Sequence, residues 1–165
     1  MMKRRLNVCM FLAMLVLNLW VLAFRLPTPP ETSGIYAESA LSDHAVGWVV
    51  GSSVDGYGSI VHTRDGGQNW VRQGDTSQIP DVYFEGVWAV DRYTAWVVGG
   101  PDNGYGVILR TDDGGQTWER QGSSAEIPNV ELTDISAVDA NTAWACGGVL
   151  GGYGTILCTV DGGLS

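Results

Sequence analysis

Thr63-Arg64-Asp65-Gly66-Gly67-Gln68-Asn69-Trp70 returns as Thr111-Asp112-Asp113-Gly114-Gly115-Gln116-Thr117-Trp118, and begins again as Thr159-Val160-Asp161-Gly162-Gly163-Leu164-Ser165. The interval is 48 residues each time. Gly-Tyr-Gly at positions 56, 104 and 152 keeps it, as do Trp48, Trp96 and Trp144, and Asp43, Asp91 and Asp139. Residues 56–100 laid on residues 104–148 without a gap give 24 identities in 45 positions. A repeat of this period is one supersecondary unit that buries its apolar faces against its neighbours.

The unit reads as four short strands parted by glycine-rich turns. In the second copy the strands are predicted over residues 83–90, 94–99, 105–111 and 117–121. Trp96-Val97-Val98 and Val107-Ile108-Leu109 are continuous apolar runs, as expected of strands covered on both faces. No stretch of the repeats keeps a 3.6-residue apolar period, so the class is all-β. Four antiparallel strands in about 48 residues match one blade of a β-propeller. The sequence divides into an apolar segment at 1–25, a proline-rich linker at 26–35 and the propeller portion at 36–165. Its blades are predicted at 36–82, 83–130 and, incompletely, 131–165.

Within this frame Trp48, Trp96 and Trp144, one per unit, are expected in the blade core. The octet falls between the third and fourth strands. Asp-Gly suits a tight turn, the aspartate can accept hydrogen bonds from its own loop, and the threonine hydroxyl can add another. The tryptophan at the end can lie across the turn. Thr63, Asp65, Gly67 and Trp70, then Thr111, Asp113, Gly115 and Trp118, then Thr159, Asp161 and Gly163 are therefore read as one folding device repeated in every blade. Carboxylates at 65, 113 and 161 occur once per blade, which argues for structure and against catalysis.

These residues resemble a known motif. Thr-x-Asp-x-Gly-x-Thr-Trp is the Asp-box, or bacterial neuraminidase repeat, and Thr111 to Trp118 fit every defined position. The wider pattern, carried here by Trp96, Gly99, Gly106, Ile108, Thr111, Asp113, Gly114, Gly115 and Trp118, is similar to the repeats of photosystem II assembly/stability-factor-like propellers. The resemblance runs from about Tyr36 to Ser165. It implies a propeller that holds a membrane-protein partner during assembly, through protein–protein contact. It also implies tryptophan at position 166, and about two and three-quarter blades where propellers close with about 4–8. The expectation is an N-terminal portion of a longer protein; a chain that truly ended at Ser165 would need self-association to close a ring.

Lys3, Arg4 and Arg5 precede an apolar run from Val8 to Phe24, the pattern of an export segment. An N-terminal membrane-anchoring helix is favoured over a cleaved signal peptide, which places the propeller outside the cytoplasm. All 18 acidic residues but only five of the nine basic ones follow Arg25, leaving that part at −13. Such a charge repels phosphate backbones, so nucleic acid is excluded as a partner. Cys146 and Cys158 flank the turn near Gly151-Gly152. Export would permit a cross-strand disulfide between them; the alternative is two unpaired thiols.

No cofactor or metal is expected. His44 and His62 lack a nucleophile beside them. The alternative function is a glycoside hydrolase: Phe24-Arg25-Leu26-Pro27 resembles the arginine motif of sialidases, and Asp55, Asp102 and Glu85 are carboxylates outside the shared pattern, as other Asp-box glycosidases would need. Calcium between Asp55 and Asp102-Asn103 is a third reading, with few oxygens to support it.

Overall fold

A computed structural model describes residues 34–42 and 45–164. The expected apolar segment, most of the linker, Asp43, His44 and Ser165 lie outside the described residues. Eleven strands form three antiparallel sheets. The first holds β1 (Ile35–Ala40), β2 (Gly47–Val54), β3 (Tyr57–Thr63) and β4 (Val71–Arg72). The second holds β5 (Phe84–Ala89), β6 (Ala95–Asp102), β7 (Tyr105–Thr111) and β8 (Glu119–Arg120). The third holds β9 (Leu132–Ala137), β10 (Ala143–Leu150) and β11 (Tyr153–Thr159). Strand order follows the chain in each sheet, and β1, β5 and β9 lie beside one another.

The second and third strands of each sheet are joined by two residues in left-handed conformation. These are Asp55 and Gly56, Asn103 and Gly104, and Gly151 and Gly152. Two consecutive positive φ angles are the geometry that matches strand twist, which explains the Asp/Asn-Gly and Gly-Gly pairs. Asp91 and Asp139 close the turn into the second strand. Asp91 accepts from the amides of Tyr93 and Thr94 at 2.7 and 2.8 Å, and Asp139 from those of Asn141 and Thr142 at 2.8 Å each.

Alternation along the strands of the middle sheet sends side chains to two separate cores. Val97 joins Trp48, Val50, Ile60, Phe84 and Trp118 between the first and second sheets. Its neighbours Trp96 and Val98 join Ile127, Leu132, Ile135 and Ala145 between the second and third. The sheets therefore stack face to face, each covering the next. Trp48 and Trp96 are buried to within 1%. Trp144, expected in the core, is instead 42% exposed, because no sheet among the described residues covers its face of β10.

Candidate functional site

The three Asp-box loops share one hydrogen-bond pattern. In the first, the Thr63 hydroxyl donates to Asp65 Oδ1 at 2.9 Å and accepts the Gly67 amide at 2.9 Å. Asp65 Oδ1 accepts the Asn69 amide at 2.8 Å, while Oδ2 accepts Asn69 Nδ2 at 2.6 Å. The second repeats this: Thr111 donates to Asp113 at 2.9 Å, Gly115 donates to Thr111 at 2.9 Å, and Thr117 donates to Asp113 through its amide and hydroxyl at 2.9 and 2.7 Å. In the third, Thr159 and Asp161 are 2.8 Å apart, Gly163 donates to Thr159 at 2.9 Å, and the Leu164 amide reaches Asp161 at 3.1 Å. Both glycines of every box have positive φ.

These bonds hold the carboxylates in their charged form. The Asn69 side chain first, then its amide, keep Asp65 below the usual carboxylate range. Burial pushes Asp113 up, but the Thr117 amide and hydroxyl with the Thr111 hydroxyl outweigh it, and it too is lowered. A carboxylate saturated by its own loop is a poor base and a poor ligand. A Cβ on Gly67 would come within 3.6 Å of the Trp70 indole, which lies across its turn. Trp118 reaches the next sheet as well, standing edge-on to Trp48 at 5.5 Å between ring centroids.

The residues opposite Trp48 and Trp96 cover their rings. His62 stacks on Trp48 at 3.8 Å with the planes 9° apart, and the Arg110 guanidinium lies 5.5 Å from the Trp96 centroid. Burial, then the charge of Arg64, push His62 down to about 4, so it is neutral near pH 7. Arg64 itself crosses to the second blade and donates to the Gly114 carbonyl at 3.1 Å.

A cation clamp that the sequence reading passed over fixes the outer strand. Arg72 donates to the carbonyls of Val54 and Tyr57 at 2.5 and 3.0 Å, lies 3.7 Å over the Tyr57 ring and meets Asp55 at 3.5 Å. Arg120 donates to the carbonyls of Asp102 and Tyr105 at 2.8 and 3.2 Å, lies 3.9 Å over the Tyr105 ring and pairs with the Asp102 carboxylate at 2.5 Å. Asp55 and Asp102 thus serve the clamps of separate blades and do not converge on a shared cation. The recurring signal was Tyr-x(14)-Arg, at 57 with 72 and at 105 with 120.

Cys146 and Cys158 are both free and exposed. Cys146 pairs with Ile156 and Cys158 with Trp144, so the two thiols are diagonal neighbours on one face. Diagonal Cα atoms are about 7–8 Å apart, beyond the usual reach of a disulfide. Glu85, at the start of β5, shares a hydrogen bond with Glu131 just before β9; burial first, then that bond and charge, push Glu85 up to about 6. Tyr83 also bonds Glu131. Arg25 lies outside the described residues.

Stacked antiparallel sheets, each carrying a self-closed Asp-box loop, define a β-propeller of the Asp-box type. Its family is that of photosynthesis system II assembly factor YCF48, whose profile matches residues 23–144; the chain belongs to it. A structure of YCF48 bound to a D1 peptide is similar at a TM-score of 0.66 and 29% identity over 83% of this chain. YCF48 from Cyanidioschyzon merolae is similar at 0.63 and 29% over 85%. The chain spans about two fifths of those proteins, 39% and 40% respectively. The GH74 enzyme of Niastella koreensis shares the fold at 0.60 with 16% identity, over 80% of this chain and 22% of its own. No functionally curated protein matches the chain.

Proposed function

We propose that this chain is an assembly-factor scaffold that binds a polypeptide segment of a membrane-protein partner and catalyses no reaction. The observation that carries this reading is membership of the YCF48 family, together with the likeness to YCF48 in its complex with a D1 peptide. The chemistry of the blades agrees with it. Asp65 and Asp113 are consumed by their own loops, and His62 is neutral under Arg64 against Trp48. Glu85 and Glu131 touch through a hydrogen bond, closer than the ~5 Å that a retaining glycosidase keeps between its carboxyl groups.

The basic, then apolar, N-terminal sequence supports a tethered position outside the cytoplasm. The direct test is fluorescence anisotropy of a labelled D1 peptide titrated with the chain. Saturable binding that a scrambled peptide lacks is expected; no binding, or turnover of a fluorogenic sialoside or xyloglucan oligosaccharide, would sink the reading.

A further inference from the structure

Where the first two blades meet, a cavity of about 350 Å³ opens beside their Asp-box loops. Three of its walls belong to the repeat. Asp65 corresponds to Asp113, and each is closed by its own loop. Gln73 corresponds to Gln121; their Nε2 groups donate to the carbonyls of Val71 and Glu119 at 2.8 and 3.1 Å. Gln116, from the second blade, corresponds to Gln68. The remaining walls are His62, Arg64, Asn69 and Val71, and these do not recur. Their counterparts 48 residues on are Arg110, Asp112, Thr117 and Glu119. The blade fold therefore does not require these four side chains, yet they converge on one cavity.

Several polar groups here keep unused hydrogen-bonding capacity. His62 is 4% exposed, and its Nε2 has no partner among the described residues. Leaving a buried imidazole nitrogen bare costs stability that a phenyl ring stacked on Trp48 would not forfeit. Arg64 gives one N–H to the Gly114 carbonyl at 3.1 Å and is otherwise exposed, so further guanidinium donors face outward. Asn69 and Gln116 turn their amide nitrogens inward, to Asp65 at 2.6 Å and to the Asp113 carbonyl at 2.9 Å. Both amide oxygens are left as acceptors. Val71, 61% exposed, adds an apolar edge.

We propose that this cavity binds one neutral sugar ring of hexose size. A hydroxyl group both donates and accepts, so a polyol can answer the Arg64 donors and the Asn69 and Gln116 oxygens together. Another hydroxyl meets the bare nitrogen of His62, whichever ring nitrogen carries the proton, while a C–H face of the sugar lies on Val71. A simple anion would suit Arg64 but would oppose both amide oxygens and lie beside the Asp65 carboxylate. A cation would face Arg64. The volume is at the small end of ligand sites, roughly 300–1,000 Å³, which suits one ring and not a chain of them. The inference does not rest on peptide binding, and the sugar is held with no bond in it broken.

The experiment titrates the chain with the methyl glycosides of glucose, galactose and mannose, and follows the imidazole resonances by NMR. The sequence holds 2 histidines, and His44→Gln assigns the signal of His62. A saturable shift of that signal is expected with at least one glycoside. Changing Arg64→Asp, Asn69→Thr and Val71→Glu together installs the second blade's own residues. It should weaken binding at least ~10-fold and leave the unfolding midpoint near that of the parent chain. If the triple variant does not fold, Arg64→Met alone should weaken binding in the same direction. No shift with any of the three glycosides overturns the proposal, as does binding that these changes leave intact. A response to acetate as strong as that to the best glycoside also overturns it, and assigns an anion site instead.

Discussion

Between the first and second sheets, Trp118 stands edge-on to Trp48, and a Cβ added to Gly115 would lie 2.8 Å from the Trp48 ring. Between the second and third, the same arrangement of residues surrounds a cavity, although a Cβ on Gly163 would meet Gln121 at 2.6 Å just as one on Gly115 would meet the equivalent Gln73 at 2.3 Å. The walls are conserved within the molecule, and what differs is the plug. The repeat thus separates two jobs that a core usually merges. Residues of the second and third strands shape the seam, and one tryptophan from the following loop fills it.

The largest test of this division removes the plug. Trp118→Ala should give the first seam the cavity that the second already has, at a cost of ~3–5 kcal/mol, read from the denaturation midpoint. If the first seam tolerates the change for less than about 1 kcal/mol, the plug contributes little and the comparison fails.

The seams also differ in what lies over their tryptophans: neutral His62 on Trp48, permanently charged Arg110 on Trp96. His62 is pushed from an ordinary 6.5 down to about 4, so between those values the unfolded chain takes up a proton that the folded chain refuses. Stability from this site is complete above pH 6.5 and falls as pH drops towards 4, by roughly 2–3 kcal/mol. Glu85 acts with the opposite sign. Raised to about 6, its protonated form is favoured by folding, so its contribution is present at low pH and lost as pH rises through 6. In a Glu85→Gln background the His62 slope should therefore stand alone between pH 6.5 and about 5, above the range in which the lowered Asp65, Asp75, Asp113 and Asp139 take up protons. Adding His62→Phe, which keeps the stack, should flatten it, and a slope that survives both changes would refute the assignment.

A smaller effect tests the Asp-box itself. Asp113 accepts from the Thr117 amide and hydroxyl besides Thr111. Asp113→Ala should cost ~1–3 kcal/mol, read by thermal melts, and no loss would mean that the bond between Thr111 and Gly115 alone supports the loop.

The loops were legible in the sequence because their partners sit two to four residues apart, so the motif and its hydrogen bonds are the same information. Strand identity was legible too, since β-branched and aromatic runs end at glycine turns. The arginine clamps were not, since Arg72 and Arg120 act on residues 15 to 18 positions away, and pairing at that distance depends on which strand lies outside which. Nor was the contact of Glu85 with Glu131. The first strands depart from the 48-residue count: Ile35 pairs with Gly51 and Phe84 with Gly99, so β1 and β5 are 49 apart, whereas β5 and β9 are 48 apart. A bulge interrupts the register at the start of each. Trp144 misled through its missing cover, and register decided between the two readings of the cysteines. A position in a repeat inherits the burial of its equivalents only where its neighbour is present, and cross-strand partners are fixed by register, not by nearness to a turn.

The finest distinction between the seams is a pair of methyl groups. Val97 lines the filled seam with no exposure, and its counterpart Ala145 lines the cavity at 4%. Ala145→Val would make the two walls alike in a site that already has room, on a strand where a β-branched residue is favoured. It should therefore stabilise the chain by about 0.5–1 kcal/mol, read as a higher unfolding midpoint, where small-to-large changes in packed cores normally cost ~1–3 kcal/mol. The sign is what matters. A loss would show that the second seam has relaxed around its alanine into a shape of its own, so that the tryptophan-shaped void is no longer a copy of the first. A gain would show that the two seams share one backbone shape and differ at this wall only by the two methyl groups.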